Sequence, residues 1–333
     1  MPDASPFAFS AIAVTSAMDL QTFYDFWVNG ETLSRWQLTM SCVSGGPEAL
    51  SDAASVSPGD ALQWTLPRFR STANIQLDVD SSKLKPIYQV LVHGSQATND
   101  ACDFSDIDIL VVLDDSRAFT AREHAEAVAE LKALLRSMFL YDNLMHHGFM
   151  FMLRSRFDNY DESYLPAETL RNAALVHGTP QITLRKAIPL RLRLKQRLHA
   201  AAESLSRRLE RRDHERNDYA FKSVLSGLLL LPSLLLESID VFVYKRDSFS
   251  TGPRQFPNLD WSAIGQAEDI RLNWKRPPTS ITQKMISKIS HPQAIIRLTR
   301  MNASKLNVNR LLGEREESFR RKSQEFLACL ASQ

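Results

Sequence analysis

In the middle of the chain, short apolar runs alternate with polar stretches in an α/β rhythm. Runs rich in Val, Ile and Leu predict three strands, at Pro86–Val92, Asp106–Leu113 and His147–Leu153. Between the second and third runs, apolar residues recur at helical spacing over Thr120–Phe139, and the first residue of this stretch forms a capping box with Glu123. The pattern therefore predicts a sheet with a helix between two of its strands.

Beyond residue 165 the pattern becomes mainly helical. The segment Pro166–Gly178 ends at a glycine, a common helix stop, and Leu184–Arg212 predicts a long, basic, amphipathic helix. Asp218–Ser238 predicts an apolar helix interrupted near Pro232, and Phe249–Pro257 predicts a loop that contains Gly and Pro. The last 50 residues carry two more basic helical patterns.

The N-terminal part of the chain has a weaker pattern. Gly, Ser and Pro cluster over Gly45–Ala61, which predicts a loop between short apolar runs. We expect residues 1–85 to form an extension packed on the core, residues 86–165 to form the core, and residues 166–333 to form a basic helical domain. The predicted fold class is α+β, a mixed sheet with flanking helices followed by a mainly helical C-terminal domain.

The composition indicates a soluble globular protein, since 44% of the 333 residues are hydrophobic and 23% are charged. The three cysteines, Cys42, Cys102 and Cys329, are odd in number and widely spaced, which argues against a disulfide scaffold and favours a reducing, cytoplasmic location. The most apolar stretch, Gly227–Val243, is interrupted by Pro232 and two acids and is shorter than the roughly 20 residues that a membrane helix needs. We predict a buried core helix there and no membrane partner.

Charge is distributed unevenly along the chain. Residues 181–333 contain 28 basic and 15 acidic side chains, a net charge of +13, whereas residues 1–80 carry −6 and residues 81–180 carry −5. A basic C-terminal half favours a polyanionic partner such as RNA. Solvated, arginine-rich helix faces produce the same pattern, so both interpretations stay open.

Two carboxylates stand at the entrance of the second predicted strand. Because side chains alternate across a strand, Asp106 and Asp108 are expected to point to the same face. Two carboxylates that close repel each other unless a cation lies between them, and Mg²⁺ in proteins is held by one or two carboxylates plus substrate phosphates. Upstream, Gly94 and Ser95 end the first strand, where backbone N–H groups can hold a phosphate group.

The combination of Val92-His93-Gly94-Ser95, ten intervening residues and Asp106-Ile107-Asp108-Ile109 resembles the signature of the DNA polymerase β-like nucleotidyltransferase superfamily. The resemblance covers Pro86 to about Leu153 and implies a nucleotidyltransferase-type mixed sheet. It implies that Gly94 and Ser95 bind the nucleotide phosphates. It also implies that Asp106 and Asp108 ligate Mg²⁺ in a one-ion or two-ion site, with Mn²⁺ as a substitute.

The sequence departs from this family pattern at the third carboxylate. Family members usually carry a third acid on the next strand, where it orients the metal and can act as a general base. The predicted strand His147–Leu153 contains no acid. The nearest acids are Asp142, before the strand, and Asp158, after it, and His146 and His147 stand at its start, where only one of the two can face the site. Asp142 and His147 are the candidates for the third position, and an imidazole can act as a base near neutral pH. A degenerate site that binds nucleotide without turnover is the remaining alternative.

Two lysines in the helical half are candidate phosphate ligands. A basic residue from such a helix often reaches the triphosphate in related enzymes, and Lys222 and Lys245 are placed to do so; both also fit a solvated helix face. The chain has no phosphate-binding P-loop, no zinc motif and no serine-hydrolase elbow.

The leading hypothesis is an Mg²⁺-dependent nucleotidyltransferase. It would move a nucleoside monophosphate from an NTP to a hydroxyl of a small molecule, an RNA or a protein, and release pyrophosphate. The alternative is a nucleotidyltransferase-fold protein with a degenerate site, serving as a nucleotide- or RNA-binding module or as an antitoxin-like regulator.

Overall fold

The computed structural model describes residues 56–70, 75, 77–145, 147–187, 191–289 and 292–331. Most of the predicted N-terminal extension, including Cys42, therefore lies outside the described residues, as does His146.

Six strands in the described part of the chain form two sheets. The strands are β1 (Val56–Thr65), β2 (Ile87–His93), β3 (Asp108–Leu113), β4 (Met150–Leu153), β5 (Ala174–Gly178) and β6 (Gln181–Ala187). The four-stranded sheet has the order β4-β3-β2-β5, and β1 pairs with β6 in a separate antiparallel ribbon. Only β3 and β4 are parallel within the larger sheet, because a helix crosses between them. This mixed sheet confirms the predicted α+β class.

Eleven α-helices are present among the described residues. They are α1 (Ser95–Thr98), α2 (Ala121–Tyr141), α3 (Ala167–Arg171), α4 (Arg191–Glu210), α5 (Asp218–Leu228), α6 (Leu231–Glu237), α7 (Lys245–Gln255), α8 (Ser262–Leu272), α9 (Ile281–Ile286), α10 (Pro292–Asn302) and α11 (Glu316–Ala331). The C-terminal region is therefore mainly helical, as the sequence pattern predicts.

The predicted elements of the core are present with shifted ends. Helix α2 begins with the predicted capping box, in which the Thr120 hydroxyl accepts a hydrogen bond from the Glu123 N–H at 3.2 Å and the Glu123 carboxylate accepts one from the Thr120 N–H at 2.9 Å. Its apolar face, which includes Leu131 and Leu135, packs into the same core as the sheet residues Val90 and Val111. Strand β3 begins two residues later than predicted, and β4 begins three residues later.

Three predictions near the ends of the sheets were wrong. The segment Pro166–Gly178 is a short helix followed by β5, and Leu184 lies in β6 rather than in the long helix, which begins at Arg191. Residues of β6 alternate between exposed and buried, which is the period of a strand rather than a helix. The predicted loop Gly45–Ala61 ends in strand, because β1 begins at Val56 and pairs with β6.

The predicted loop Phe249–Pro257 was also wrong, since most of it belongs to helix α7. Packing explains why a segment with Gly and Pro is helical here. A Cβ at Gly252 would lie 2.6 Å from the Trp261 ring, so the glycine permits a close helix contact. Pro253 has no backbone N–H, so the last turn of the helix lacks the hydrogen bond that this residue would otherwise donate.

The predicted apolar helix is interrupted at Leu229 and Leu230, between α5 and α6, close to the predicted break at Pro232. Among the described residues, Asp218–Glu237 is the one stretch with the length and hydropathy of a membrane span, and 78% of its apolar window is buried within the protein. This burial favours a core helix. The boundary at residue 165 stays a prediction; the four-stranded sheet itself extends to Gly178 through β5.

Candidate metal centre

The turn that follows β2 brings the backbone against a carboxylate. Gly94 has a φ of +69°, a conformation that favours glycine, and a Cβ at this position would lie 2.5 Å from Oδ2 of Asp108. Ser95 begins the short helix α1 immediately afterwards. On the neighbouring strand, Asp108 pairs with His93, which places the first residue of β3 beside the last residue of β2. The glycine is therefore required for the turn to approach Asp108.

The two aspartates and His147 converge on one point. His147 Nε2 lies 3.0 Å from Oδ2 of Asp106 and 3.2 Å from Oδ1 of Asp108. All three side chains are partly buried, and their potential ligand atoms lie within 4.8 Å of one another. Asp106 lies two residues before β3 rather than on the strand as predicted, yet its carboxylate still reaches the same point as that of Asp108.

The parallel pairing of β3 and β4 explains the position of His147. Leu110 is opposite Met150, so the segment leading into β4 runs beside the segment leading into β3. His147 Nδ1 lies 3.1 Å from the carbonyl oxygen of Gly148. When Nδ1 carries the proton and donates to that carbonyl, the Nε2 lone pair faces the two carboxylates, as in a metal-ligating histidine. The segment leading into β4 therefore places an imidazole beside the aspartate pair.

Charge interactions among Asp106, Asp108 and His147 shift the pKa values of the groups in this cluster. Burial disfavours the charged form of His147. Attraction by Asp106, reinforced by Asp108, outweighs burial and raises the pKa of His147 well above the usual value. Surrounding protein and repulsion from Asp106 act to raise the pKa of Asp108, but the hydrogen bond and charge of His147 hold it below its usual value. The site therefore favours negative carboxylates with a cationic group between them.

The other candidate for the third position, Asp142, lies in a different contact. Its carboxylate accepts a hydrogen bond from Lys222 Nζ at 2.5 Å, and both side chains are buried. Burial opposes the charge on Lys222, but attraction by Asp142 and then by Asp106 raises the pKa of this lysine. Lys222 is 1% exposed, so in this arrangement its ammonium binds Asp142 rather than facing a ligand in solvent.

This buried pair holds the turn that leads to His147. Asp142 caps the C-terminal end of α2, and its Oδ1 accepts a hydrogen bond from the Leu144 N–H at 3.1 Å. Next to it, the Asn143 side-chain amide donates to the carbonyl of Pro277 at 3.0 Å and to Gln283 Oε1 at 3.2 Å. The helical region therefore fixes the segment that carries the histidine.

The second candidate lysine, Lys245, begins helix α7 opposite the glycine-serine turn. The preceding residue, Tyr244, has its hydroxyl 3.3 Å from the hydroxyl of Thr98 in α1, and Arg246 lies 3.7 Å from a carboxylate oxygen of Asp100. Lys245 is solvent-exposed. Loss of hydration lowers the pKa of Lys245. Attraction by Asp108 and Asp106 acts in the opposite direction, and repulsion from Arg271 adds to the lowering. An exposed cation therefore lies within the electrostatic reach of the aspartate pair.

Sequence reasoning did not identify Arg276, which supports the approach to Asp106. Its guanidinium donates to the carbonyls of Cys102 at 3.5 Å and Ser105 at 3.2 Å, and it lies 4.0 Å from the centre of the Tyr141 ring. These partners are more than 130 residues away along the chain, so no local motif could have indicated the contact.

Comparison with known proteins agrees with this geometry. Residues 81–147 match the family model described as "Polymerase beta, Nucleotidyltransferase", a segment that extends from the turn before β2 to His147. Neither the curated proteins nor the solved structures gave a significant match. Residues 81–147, with their glycine-serine turn and aspartate pair, therefore form a domain of the polymerase β-like nucleotidyltransferase type.

Proposed function

We propose that the protein is a divalent-metal-dependent nucleotidyltransferase that transfers a nucleoside monophosphate from an NTP to an acceptor hydroxyl. The observation that carries the proposal is the convergence of Asp106, Asp108 and His147 beside the turn at Gly94 and Ser95. A carboxylate pair beside a phosphate-binding turn matches the requirements of metal-assisted phosphoryl transfer.

The donor set fits a divalent cation. Two carboxylate oxygens suit Mg²⁺ or Mn²⁺, and an imidazole nitrogen suits transition metals better than it suits Mg²⁺. His147 Nε2 points at both carboxylates, which supports a role as third ligand rather than as a free base. We therefore expect Mn²⁺ to bind more tightly than Mg²⁺, with the latter used at cellular concentrations. A bound cation would neutralise phosphate charge and lower the pKa of the acceptor hydroxyl.

The surrounding residues would place the NTP. Backbone N–H groups at Gly94 and Ser95 are the candidates for contact with the phosphates, because the turn leaves no room for a Cβ next to Asp108. Lys245 is the better candidate of the two lysines for the triphosphate, since it is exposed and Lys222 is not. The acceptor oxygen would attack the α-phosphorus, and the bond to the β-phosphate oxygen would break to release pyrophosphate.

A free cysteine and the net charge support a compartment and an acceptor class for the proposed reaction. Cys102 is a free thiol, which supports the cytoplasm as the compartment. The +13 charge of residues 181–333 supports RNA as the acceptor. A second function, nucleotide binding or regulation without turnover, is supported by one observation only, the imidazole in the position of the third acid.

Transfer from α-labelled NTPs tests the proposal directly. Purified protein with Mg²⁺ or Mn²⁺ should label an acceptor in a pool of small molecules, RNA or protein. Asp108→Asn should lower the rate by about 1,000-fold, since a metal ligand is lost. Asp114→Asn is the matched control: it removes a carboxylate just beyond the other end of the same strand, where Asp114 binds Arg154 and Ser116, and should leave the rate within about two-fold. NTP binding without transfer to any pool would favour the regulatory function, and the absence of both would refute the proposal.

A further inference from the structure

A cavity of about 380 Å³ lies between the N-terminal end of α5 and helix α10, away from the aspartate pair. Its lining residues are Arg216, Asn217, Ala220, Arg297, Arg300 and Met301. Half of these residues are arginines and none is acidic. The cavity falls in the size range of ordinary ligand sites.

The arginines have charge available for a ligand. Arg297 and Arg300 are exposed, stand three positions apart on α10, and form no ion pair with any residue in the described part of the chain. Arg216 uses its Nε to contact Asp213 at 3.3 Å, which leaves the terminal nitrogens of its guanidinium for another partner. Guanidinium groups with free donors bind phosphate oxygens in a bidentate manner.

Neighbouring groups leave the cavity strongly positive. Asp213 is shared between Arg216 and Arg211, which lies 3.2 Å away, so one carboxylate serves at least two guanidinium groups. The buried Arg208 is also near. Burial lowers the pKa of Arg208, attraction by Asp213 opposes this, and repulsion from Arg300 adds to the lowering. Asp213 therefore balances only part of the positive charge around the cavity, and it contacts Arg216 but neither Arg297 nor Arg300.

The walls of the cavity are held together without any ligand. Asn217 caps α5 by accepting a hydrogen bond from the Ala220 N–H at 2.9 Å, and its amide donates to the carbonyl of Arg300 at 2.9 Å. Met301 is 71% exposed at the edge, where its side chain offers an apolar contact. A preformed pocket with cationic groups and one apolar side chain suits a phosphate attached to a sugar or base better than a free ion.

We propose that this arginine pocket, formed by Arg216, Arg297 and Arg300, binds the phosphodiester backbone of a single nucleic-acid strand. An open cavity in a region with a charge of +13 favours a polyanion over a small anion. The pocket deepens the proposed function by identifying where a nucleic-acid acceptor is held, and only this role as acceptor rests on that function. Ala220 and Lys222 lie two residues apart on α5, so the pocket and the buried support of the His147 turn share one helix.

Fluorescence anisotropy with labelled 12-nucleotide single strands of RNA and of DNA tests the pocket. The Asp108→Asn protein is used without NTP or metal, so that binding is measured apart from catalysis. In this background, the double change Arg297→Ala and Arg300→Ala should weaken binding about 10-fold or more at 0.1 M salt. It should also reduce the slope of log K against log salt by about 1.4, since about 0.7 is expected for each phosphate contact on a single strand.

A charge-matched control separates the pocket from general basicity. Arg136 and Arg254 are exposed arginines outside the cavity, and replacing both by Ala should change the affinity by less than two-fold. Thermal unfolding should confirm that both double variants are folded. Equal losses in the two variants, or no loss in the pocket variant, would overturn the proposal.

Competition identifies the ligand class. Binding of both RNA and DNA would support recognition of the phosphodiester backbone that they share, and tighter binding of one of them would name the strand. Displacement by polyglutamate at equal charge would overturn it in favour of an acidic protein segment, and displacement by submillimolar inorganic phosphate would overturn it in favour of a small anion. If the protein with Asp108 intact binds the strand but transfers no nucleotide to any acceptor, the nucleic-acid pocket is supported and the proposed nucleotidyltransferase activity is refuted.

Discussion

Two clusters among the residues that the structure describes contain one histidine and two acids with potential ligand atoms within 4.8 Å of one another, and their surroundings differ. One consists of Asp106, Asp108 and His147, and the other of His214, Glu215 and Glu316. In each cluster the histidine Nε2 lies about 3 Å from a carboxylate oxygen, 3.0 Å in the first and 2.9 Å in the second. The list of residue types and distances does not distinguish them.

Neighbouring cations account for the difference. In the second cluster, Glu215 lies 3.4 Å from Arg212, and Glu316 lies 3.8 Å from Arg320, so both acids already have basic partners. His214 is fully buried and its ring lies 5.8 Å from that of Phe319. This cluster joins the segment before α5 to α11, and we interpret it as a structural contact. We name it the His214 cluster.

The site at Asp106, Asp108 and His147 has a different environment. His147 is 31% exposed, and the backbone at Gly94 approaches so closely that a Cβ there would contact Asp108. An accessible donor set beside a glycine-serine turn is suited to both a cation and a phosphate. The comparison teaches that accessibility and the neighbouring charges, more than ligand count, separate a metal site from a structural ion pair.

Replacing each of the two histidines by alanine, in separate variants, is the strongest test of this comparison. His147→Ala should lower nucleotidyl transfer and Mn²⁺ affinity at least 100-fold, because a ligand and its hydrogen-bonded orientation are lost together. His214→Ala should leave both quantities within about two-fold. Initial rates with labelled NTP and Mn²⁺ titration by calorimetry measure the two effects. Equal losses of Mn²⁺ affinity in both variants would show that the His214 cluster also binds the metal.

The two variants should rank in the opposite order when the free energy of unfolding is measured, with the larger loss in His214→Ala. His214→Ala removes a fully buried ring and leaves Glu316 with one partner fewer, so we expect a loss of about 2 kcal/mol in the free energy of unfolding. His147→Ala should cost less than about 1 kcal/mol without metal, because the side chain is partly exposed. Urea unfolding in the presence of a chelator measures both. A larger loss for His147→Ala would contradict the structural interpretation of the His214 cluster.

Local patterns predicted the half of the site that lies close together in sequence. Gly94 and Asp108 are brought together by adjacent antiparallel strands, and apolar alternation and turn chemistry indicate such a pair. His147 was one of two candidates, because its position depends on the parallel register of β4, and the strand begins three residues later than its apolar run suggested. Lys222 illustrates the limit: its partner Asp142 is 80 residues away, so no local pattern could show that the lysine is buried in an ion pair.

The fold elements divide in the same way, into those set by neighbouring residues and those set by tertiary packing. The capping box of α2 and the break between α5 and α6 arise from neighbouring residues and were predicted. Strand β6 and helix α7 were not, because each depends on tertiary packing, against β1 for the strand and against Trp261 for Gly252 of the helix. Propensity therefore failed where tertiary contact decided the conformation.

Glu237 sharpens the comparison by showing how a buried acid behaves when its pairing is incomplete. It lies 3.0 Å from Arg197, and both side chains are largely buried. Burial raises the pKa of Glu237 to about 7, and repulsion from Glu162 and Asp161 acts in the same direction while Arg197 opposes it. Because the folded pKa exceeds the unfolded one, the contribution of Glu237 is greatest below about pH 4.5 and is lost as the pH rises through 7.

We expect this group to reduce the free energy of unfolding by about 2 kcal/mol between pH 5 and pH 8. Glu237→Gln cannot ionise and should remove that part of the pH dependence, so the difference between the two proteins should grow in favour of the variant as the pH rises. Urea unfolding at half-unit pH steps measures the difference, which cancels groups that titrate equally in both proteins. A difference that stays constant from pH 5 to pH 8 would mean that Arg197 keeps Glu237 ionised throughout this range.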